Sequence, residues 1–141
     1  MNRIMTKPIF LDTGYIIALV NQRDQYHVQA SKLAERYDSD RFLTTDAVLL
    51  EIGNALSRNY KSSSIQILNH LFQDENTTIV HLTPEWLMIA FDRYQNYEDQ
   101  QWGLVDCLSF VVMEHYQLSK ALTFDQHFSQ AGFQVLSLDR F

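Results

Sequence analysis

Pro8-Ile9-Phe10-Leu11-Asp12-Thr13-Gly14-Tyr15-Ile16-Ile17-Ala18-Leu19 is the stretch whose reading decides the fold. The apolar run Ile9-Phe10-Leu11 stops on Asp12-Thr13-Gly14 and resumes at Tyr15. That pattern predicts a buried first strand with a carboxylate at its carboxyl end, where a helix starts. Three more acids stand in equally apolar company: Glu51 after Ala47-Val48-Leu49-Leu50, Asp106 within Leu104-Val105-Asp106-Cys107-Leu108, and Asp125 after Ala121-Leu122-Thr123-Phe124. An ionised carboxylate withdrawn from water costs several kcal/mol unless it is paired, strongly hydrogen-bonded or bound to metal. The nearest bases in sequence, Lys7, Arg58 and Lys120, lie outside all four apolar runs. If the fold gathers the four acids, a divalent cation with a preference for oxygen ligands, Mg²⁺ or Mn²⁺, is the simplest compensation.

Working outward, the pattern alternates strands and helices. Asp24 is placed to cap a helix from about Gln25 to Tyr37, with Val28, Ala30, Leu33, Ala34 and Tyr37 as its inner face. Phe42-Leu43-Thr44 reads as a second strand, and Thr44 or Thr45 as the cap of a helix from Asp46 to about Tyr60. Lys61 to Ser64 reads as a polar hinge before a helix over Ile65 to Phe72. Thr78 to Leu82 is the next strand, Pro84 opens a helix to about Tyr94, and Gln95 to Gln101 is a polar loop. An apolar helix from Leu104 to Tyr116, a strand from Lys120 to Phe124, a short helix from Asp125 to Ala131 and a last strand from Gln134 to Leu138 complete the chain. Such alternation implies parallel pairing through right-handed crossovers, hence an α/β fold, a three-layer α/β/α sandwich with a central parallel sheet of four to five strands. In open sheets of this kind the functional crevice lies at the carboxyl ends of the strands, where Asp12 and Asp125 fall.

The 141 residues, with 46% hydrophobic and 13% aromatic content, fit a single folded domain over 1–141. Arg3 lies in Met1 to Thr6, but no apolar stretch of signal-peptide length follows, and no run approaches a membrane span. A soluble, cytoplasmic protein is expected, with no membrane partner. Its single cysteine excludes an internal disulfide framework and a zinc-thiolate site. The net charge of −6 argues against a nucleic-acid binder that relies on overall basicity. A bound metal inverts the local field where a phosphate must approach, so any RNA affinity is expected to rest on metal and local basic groups more than on overall charge.

Taken singly, Asp12 and Asp125 could be simple helix caps and Asp106 a first-turn acid that complements a helix dipole. Glu51 lies mid-helix among apolar neighbours, with Asn54 near it on the same face, and Gly53 weakens that helix by about 1 kcal/mol relative to alanine, which suggests close approach of another group. Thr13, Asn54 and Ser109 are placed to orient the carboxylates through hydroxyls and an amide. His27, His70, His81, His115 and His127 are scattered without ligand spacing, although His127 follows Asp125 closely. Cys107 reads as a small buried hydrophobe. Arg36, Arg41, Arg58 and Lys61 are candidate phosphate contacts, and Trp86, Tyr94, Tyr97 and Trp102 could stack on bases, with packing the more ordinary role for these aromatics.

Phe10-Leu11-Asp12-Thr13-Gly14, Thr45-x-x-Val48-x-x-Glu51-x-x-Asn54-Ala55-Leu56, Leu104-Val105-Asp106-Cys107-Leu108-Ser109-Phe110 and Leu122-Thr123-Phe124-Asp125-x-x-Phe128 with Gly132-Phe133 resemble, in order, the four acidic motifs of the PIN-domain nucleases. More narrowly, the chain resembles the VapC-like toxin ribonucleases, and Asp24-x-x-His27-x-x-Ala30 looks like their first long helix. The resemblance implies a metal-dependent endoribonuclease in which Asp12 and Asp106 are the most direct ligands of Mg²⁺ (or Mn²⁺), while Glu51 and Asp125 complete the site. It also implies an RNA substrate, a homodimer and a small antitoxin that covers the acidic groove. An RNA-processing nuclease without an antitoxin and an inactive interaction module are the competing expectations. One departure stands out: where many members carry Ser or Thr just before the third acid, this chain has Gly103-Leu104-Val105, so a hydroxyl is absent unless Ser109 supplies it. Asp12-Thr13-Gly14 also spells the aspartic-protease triplet, but that enzyme needs an all-β fold and a helical continuation argues against it.

Overall fold

A computed structural model describes residues 6–138; the reading of Met1 to Met5 lies outside the described residues. In chain order the elements are β1 (Ile9–Leu11), α1 (Thr13–Val20), α2 (His27–Arg36), β2 (Phe42–Thr45), α3 (Asp46–Leu56), α4 (Lys61–Gln73), β3 (Thr77–Val80), α5 (Pro84–Asn96), α6 (Leu104–His115), β4 (Lys120–Leu122), α7 (His127–Gln130) and β5 (Gln134–Val135). The five strands pair in parallel in the order β3-β2-β1-β4-β5. β1 is central, with Phe10 in register with Leu43 on one side and Ala121 on the other. All three residues of β1 are buried, as its uninterrupted apolar run requires of a strand covered on both faces.

From β1 the chain steps outward to β2 and β3, then crosses back to β4 and out to β5. With right-handed crossovers, a reversal of direction moves the connecting helices to the opposite face. Helices α1 to α4 accordingly pack among themselves, and α5 to α7 do likewise. The reversal falls between β1 and β4, and it opens the crevice at their carboxyl ends.

The core runs from Leu43, Ile52 and Leu56 through Phe10 to Phe110, Met113, Leu122 and Phe128, all fully buried. Phe110 anchors the α6 side, edge-on to Phe128 at 5.0 Å and to Trp102 at 5.1 Å between ring centroids. Cys107 is buried, and the low-polarity surroundings push its thiol pKa up.

Several expected boundaries shift. The α2 helix begins at His27 rather than Gln25, because Asp24 spends its carboxylate on the Tyr26 N–H at 2.8 Å in a tight turn. Val28 is 62% exposed, so it leaves the expected inner face; it sits roughly 200° around the helix from the buried Ala30. The Lys61 to Ser64 stretch is the first turn of α4, not a hinge: the Ser64 N–H bonds to the Tyr60 carbonyl at 2.9 Å and Ser64 is buried. Thr45 does cap α3, its hydroxyl accepting from the Val48 N–H at 3.3 Å. Thr83 caps α5 ahead of Pro84 in the same way.

Candidate active site

Each of the four acids reaches the same cleft from a different element. Asp12 follows β1, Glu51 projects from the middle of α3, Asp106 sits in the first turn of α6, and Asp125 follows β4. Asp12, Glu51, Asp106 and Asp125 all line this cleft together with Thr13, Gly14, Asp24, Gln25, Tyr26, Phe124 and Gln126.

Asp12 stands at the N-cap position of α1 yet makes no side-chain capping bond. Its Oδ2 instead accepts a 2.6 Å hydrogen bond from the Thr123 hydroxyl across the β1–β4 junction. Thr123 also accepts from the Asp125 N–H at 2.9 Å, so one hydroxyl fixes the ends of both strands. With 8% of its surface exposed, the Asp12 carboxyl is pushed up to about 6, first by loss of hydration and further by the charges of Asp106 and Asp125. The Thr123 bond opposes that shift without cancelling it.

Thr13, expected beside Asp12, donates its hydroxyl to Glu51 Oε1 at 2.6 Å and thereby ties α1 to α3. Asn54 is exposed and makes no side-chain hydrogen bond to Glu51 among the described residues. Ser109 is buried one turn after Asp106, and its hydroxyl has no hydrogen-bond partner. It therefore does not supply the hydroxyl missing before Asp106. The Gly103 N–H does that work at 3.1 Å from Asp106 Oδ2, a backbone donor that needs no side chain at that position.

The residue that sequence reasoning undervalued is His127. Its Nδ1 lies 3.0 Å from Asp106 Oδ2 and 3.3 Å from Asp125 Oδ1, while its backbone N–H donates to Asp125 Oδ1 at 2.9 Å. Its signal in the sequence was proximity: two residues after Asp125, at the first position of α7, the ring can turn back onto the acids. Thr123 gave no comparable signal toward Asp12, since the two are separated by 111 positions and meet only through β1–β4 pairing.

No lysine or arginine forms an ion pair with these four acids among the described residues. The carboxylates are thus held by hydroxyls, backbone N–H groups and one imidazole, and their shared negative charge is left under-compensated. Ligand atoms of Asp106, Asp125 and His127 lie within 4.8 Å of one another. A donor set rich in carboxylate oxygen and short of positive charge fits a hard divalent cation. Arg36 and Arg41, candidates for phosphate contact, instead donate to the carbonyls of Ser137 and Thr6. Trp102 is buried against Phe110, Trp86 stands edge-on to His115, and neither they nor Tyr94 and Tyr97 line the cleft.

Residues 9–134 match the family model for the PIN domain. The chain is 27% identical over 125 residues to the 23S rRNA-specific endonuclease VapC20 of Mycobacterium tuberculosis, in two strains, covering 89% of this chain and 95% of that protein. The crystal structure of Mycobacterium tuberculosis VapC20, described as a sarcin–ricin loop cleaving toxin, superposes with a TM-score of 0.80 at 26% identity, covering 89% of this chain and 95% of that one.

Proposed function

The chain belongs to the PIN-domain family, and from that premise we propose that it is a metal-dependent endoribonuclease, the toxin of a toxin–antitoxin pair. The single observation that carries the reading is the convergence of four carboxylates on one cleft without a lysine or arginine to neutralise them. Asp12 and Asp106 would hold Mg²⁺ or Mn²⁺ most directly, with Glu51 and Asp125 completing the set. When bound, the cation supplies acidity to a coordinated water and neutralises charge on the attacked phosphate.

The chain's own residues prepare that site. Thr123 orients Asp12, while Gly103 and His127 hold Asp106 against the side of the cleft. Thr13 occupies one oxygen of Glu51, and the other has no protein donor among the described residues, so it is available to accept a proton from the attacking water. Water adds to phosphorus as the P–O3′ bond breaks, its proton passing to Glu51, and the departing O3′ takes a proton from solvent water. The products are a 5′-phosphate and a 3′-hydroxyl.

The partners follow the same reading: an RNA substrate, a second copy of the chain and a small antitoxin in the cytoplasm. Toward the amino ends of β2 and β3, α1, α2 and α4 border a separate apolar cleft whose lining includes Tyr15, Ile16, Leu19 and Leu71 together with Asp38, Asp40 and Asp74. That surface suits an antitoxin segment carrying both apolar and basic residues. No helix among the described residues is long and apolar enough to cross a membrane.

The decisive experiment is cleavage of structured RNAs by purified protein with Mg²⁺, Mn²⁺ or EDTA. The panel contains a sarcin–ricin loop oligonucleotide, chosen from the activity of the mycobacterial relative, and transfer RNAs. Asp12→Asn and Asp106→Asn are expected to lose at least a hundredfold in rate with the fold intact. Full activity in either variant, or in EDTA, would overturn the assignment.

A further inference from the structure

The mouth of the acidic cleft carries a second kind of chemistry. Tyr26 and Phe124 lie face to face there, with ring centroids 4.5 Å apart and planes inclined by only 9°. Phe124 is the residue between Thr123 and Asp125, so its backbone is fixed by the same hydrogen bonds that seat the acids. Behind it, Tyr15 leans on the ring at 6.3 Å. Tyr26 is held from the other side: its N–H bonds to Asp24 Oδ1, its carbonyl accepts from Ala30, and the neighbouring His27 ring bonds to the Ala18 carbonyl. The tyrosine nevertheless keeps 37% of its surface exposed. Gln25 and Gln126, both exposed, flank the pair with neutral donors and acceptors.

The lining of the cleft includes no lysine or arginine. A polyanion drawn to it needs attraction other than counterion release, and flat π surface is the group present at the mouth. Unpaired bases are recognised by stacking on aromatic rings and by hydrogen bonds to their edges. Resting on the nuclease reading above, we infer that the Tyr26–Phe124 pair is a shelf on which one unpaired nucleobase of the RNA stacks beside the phosphate to be cut, with Gln25 and Gln126 facing its edge. The shelf positions substrate; it touches neither the attacking water nor the leaving oxygen.

The test compares wild type with Tyr26→Leu, which keeps apolar packing on Phe124 but removes the π face, and with Tyr26→Phe, which keeps it. Stacking of a base on an aromatic is worth enough that KM for a cleaved RNA loop is expected to rise roughly five- to a hundredfold in Tyr26→Leu. In the same variant kcat is expected to stay within about threefold of wild type, and Mn²⁺ affinity by calorimetry to be unchanged. Tyr26→Phe should match wild type. Single abasic substitutions along the loop should reveal one position whose loss weakens wild type and leaves Tyr26→Leu unaffected. Equal KM values for Tyr26→Leu and wild type, or no such abasic position, would overturn the shelf while leaving the nuclease standing. If wild type binds Mn²⁺ but cuts no RNA, the nuclease reading fails and the shelf falls with it.

Discussion

Asp12 carries an electrostatic cost that a bound cation would offset on the proposed reading. Its folded pKa of about 6 lies above the ordinary 3.8, so between those values the folded chain holds more protons than the unfolded one. Stability without metal therefore declines as pH rises through that window and stays lower above it. The gap between about 6 and 3.8 corresponds to at most about 3 kcal/mol. Asp12→Asn cannot ionise and should exceed wild type in urea-unfolding stability at pH 7 in EDTA, by up to about that amount, with the gap closing as the pH falls toward 4. Equal stability at pH 7 would contradict the account. His127 makes the complementary case: it gives Asp106 and Asp125 a shared nitrogen, and groups that orient metal ligands typically change affinity 10- to 100-fold when removed. His127→Ala should weaken Mn²⁺ binding by about tenfold in calorimetry, and undiminished affinity would show that the ring does not orient the acids. The four acids could be read from the sequence because a carboxylate inside an apolar run is anomalous on its face. Of their supporting residues, Thr13 was legible as a neighbouring hydroxyl and His127 only by its closeness to Asp125, whereas Thr123 and Gly103 act through tertiary geometry or a backbone N–H that no residue type announces.

At the scale of elements, type was legible and ends were not. The α3 helix was legible because Thr45 and Asp46 mark its start and its buried residues recur at helical spacing. It ends at Leu56 rather than near Tyr60, since the polar Ser57, Arg58 and Asn59 that follow are exposed and bury no apolar face. The start of α4 departs from its composition: Lys61-Ser62-Ser63-Ser64 looks like a loop, whereas packing of Leu71 and Ser64 holds the whole segment helical. Gly53 shows the limit of the inference from glycine to close approach. A Cβ added there would meet only Leu68 Cδ1, at 3.9 Å, an ordinary contact between α3 and α4. Because glycine is costly in a helix interior and the space is free, Gly53→Ala should raise stability by about 0.5–1 kcal/mol. The expected sign is a higher urea midpoint with an unchanged slope; a lower midpoint would mean that the helices meet more tightly than this spacing.

For the molecule as a whole, the alternation of strands and helices was enough to give the parallel sheet and the switch point, because right-handed crossovers leave few arrangements for five strands. What the alternation does not specify is which outer face meets another chain. On α5, Ala90 is fully buried while Leu87, Met88, Phe91 and Tyr94 are each 39–62% exposed. They recur at three- and four-residue spacing and form one stripe that begins beside Ala90, with Leu87 and Tyr94 one turn either side of it, and runs around α5 to Met88. Although α6 packs on α5, these four side chains keep 39–62% of their surface exposed, so the stripe extends beyond what α6 covers. Contiguous apolar surface of this kind marks interaction sites in soluble proteins, and a second copy of the chain is the partner expected from the family resemblance. We therefore expect a homodimer through α5, with the acidic clefts left open for RNA. Wild type should sediment as a dimer at micromolar concentration, and Met88→Glu with Phe91→Glu should sediment as a folded monomer, because two carboxylates per copy cannot be buried unpaired across a symmetric contact. Wild type sedimenting as a monomer, or a double variant that still dimerises, would move the interface off this helix.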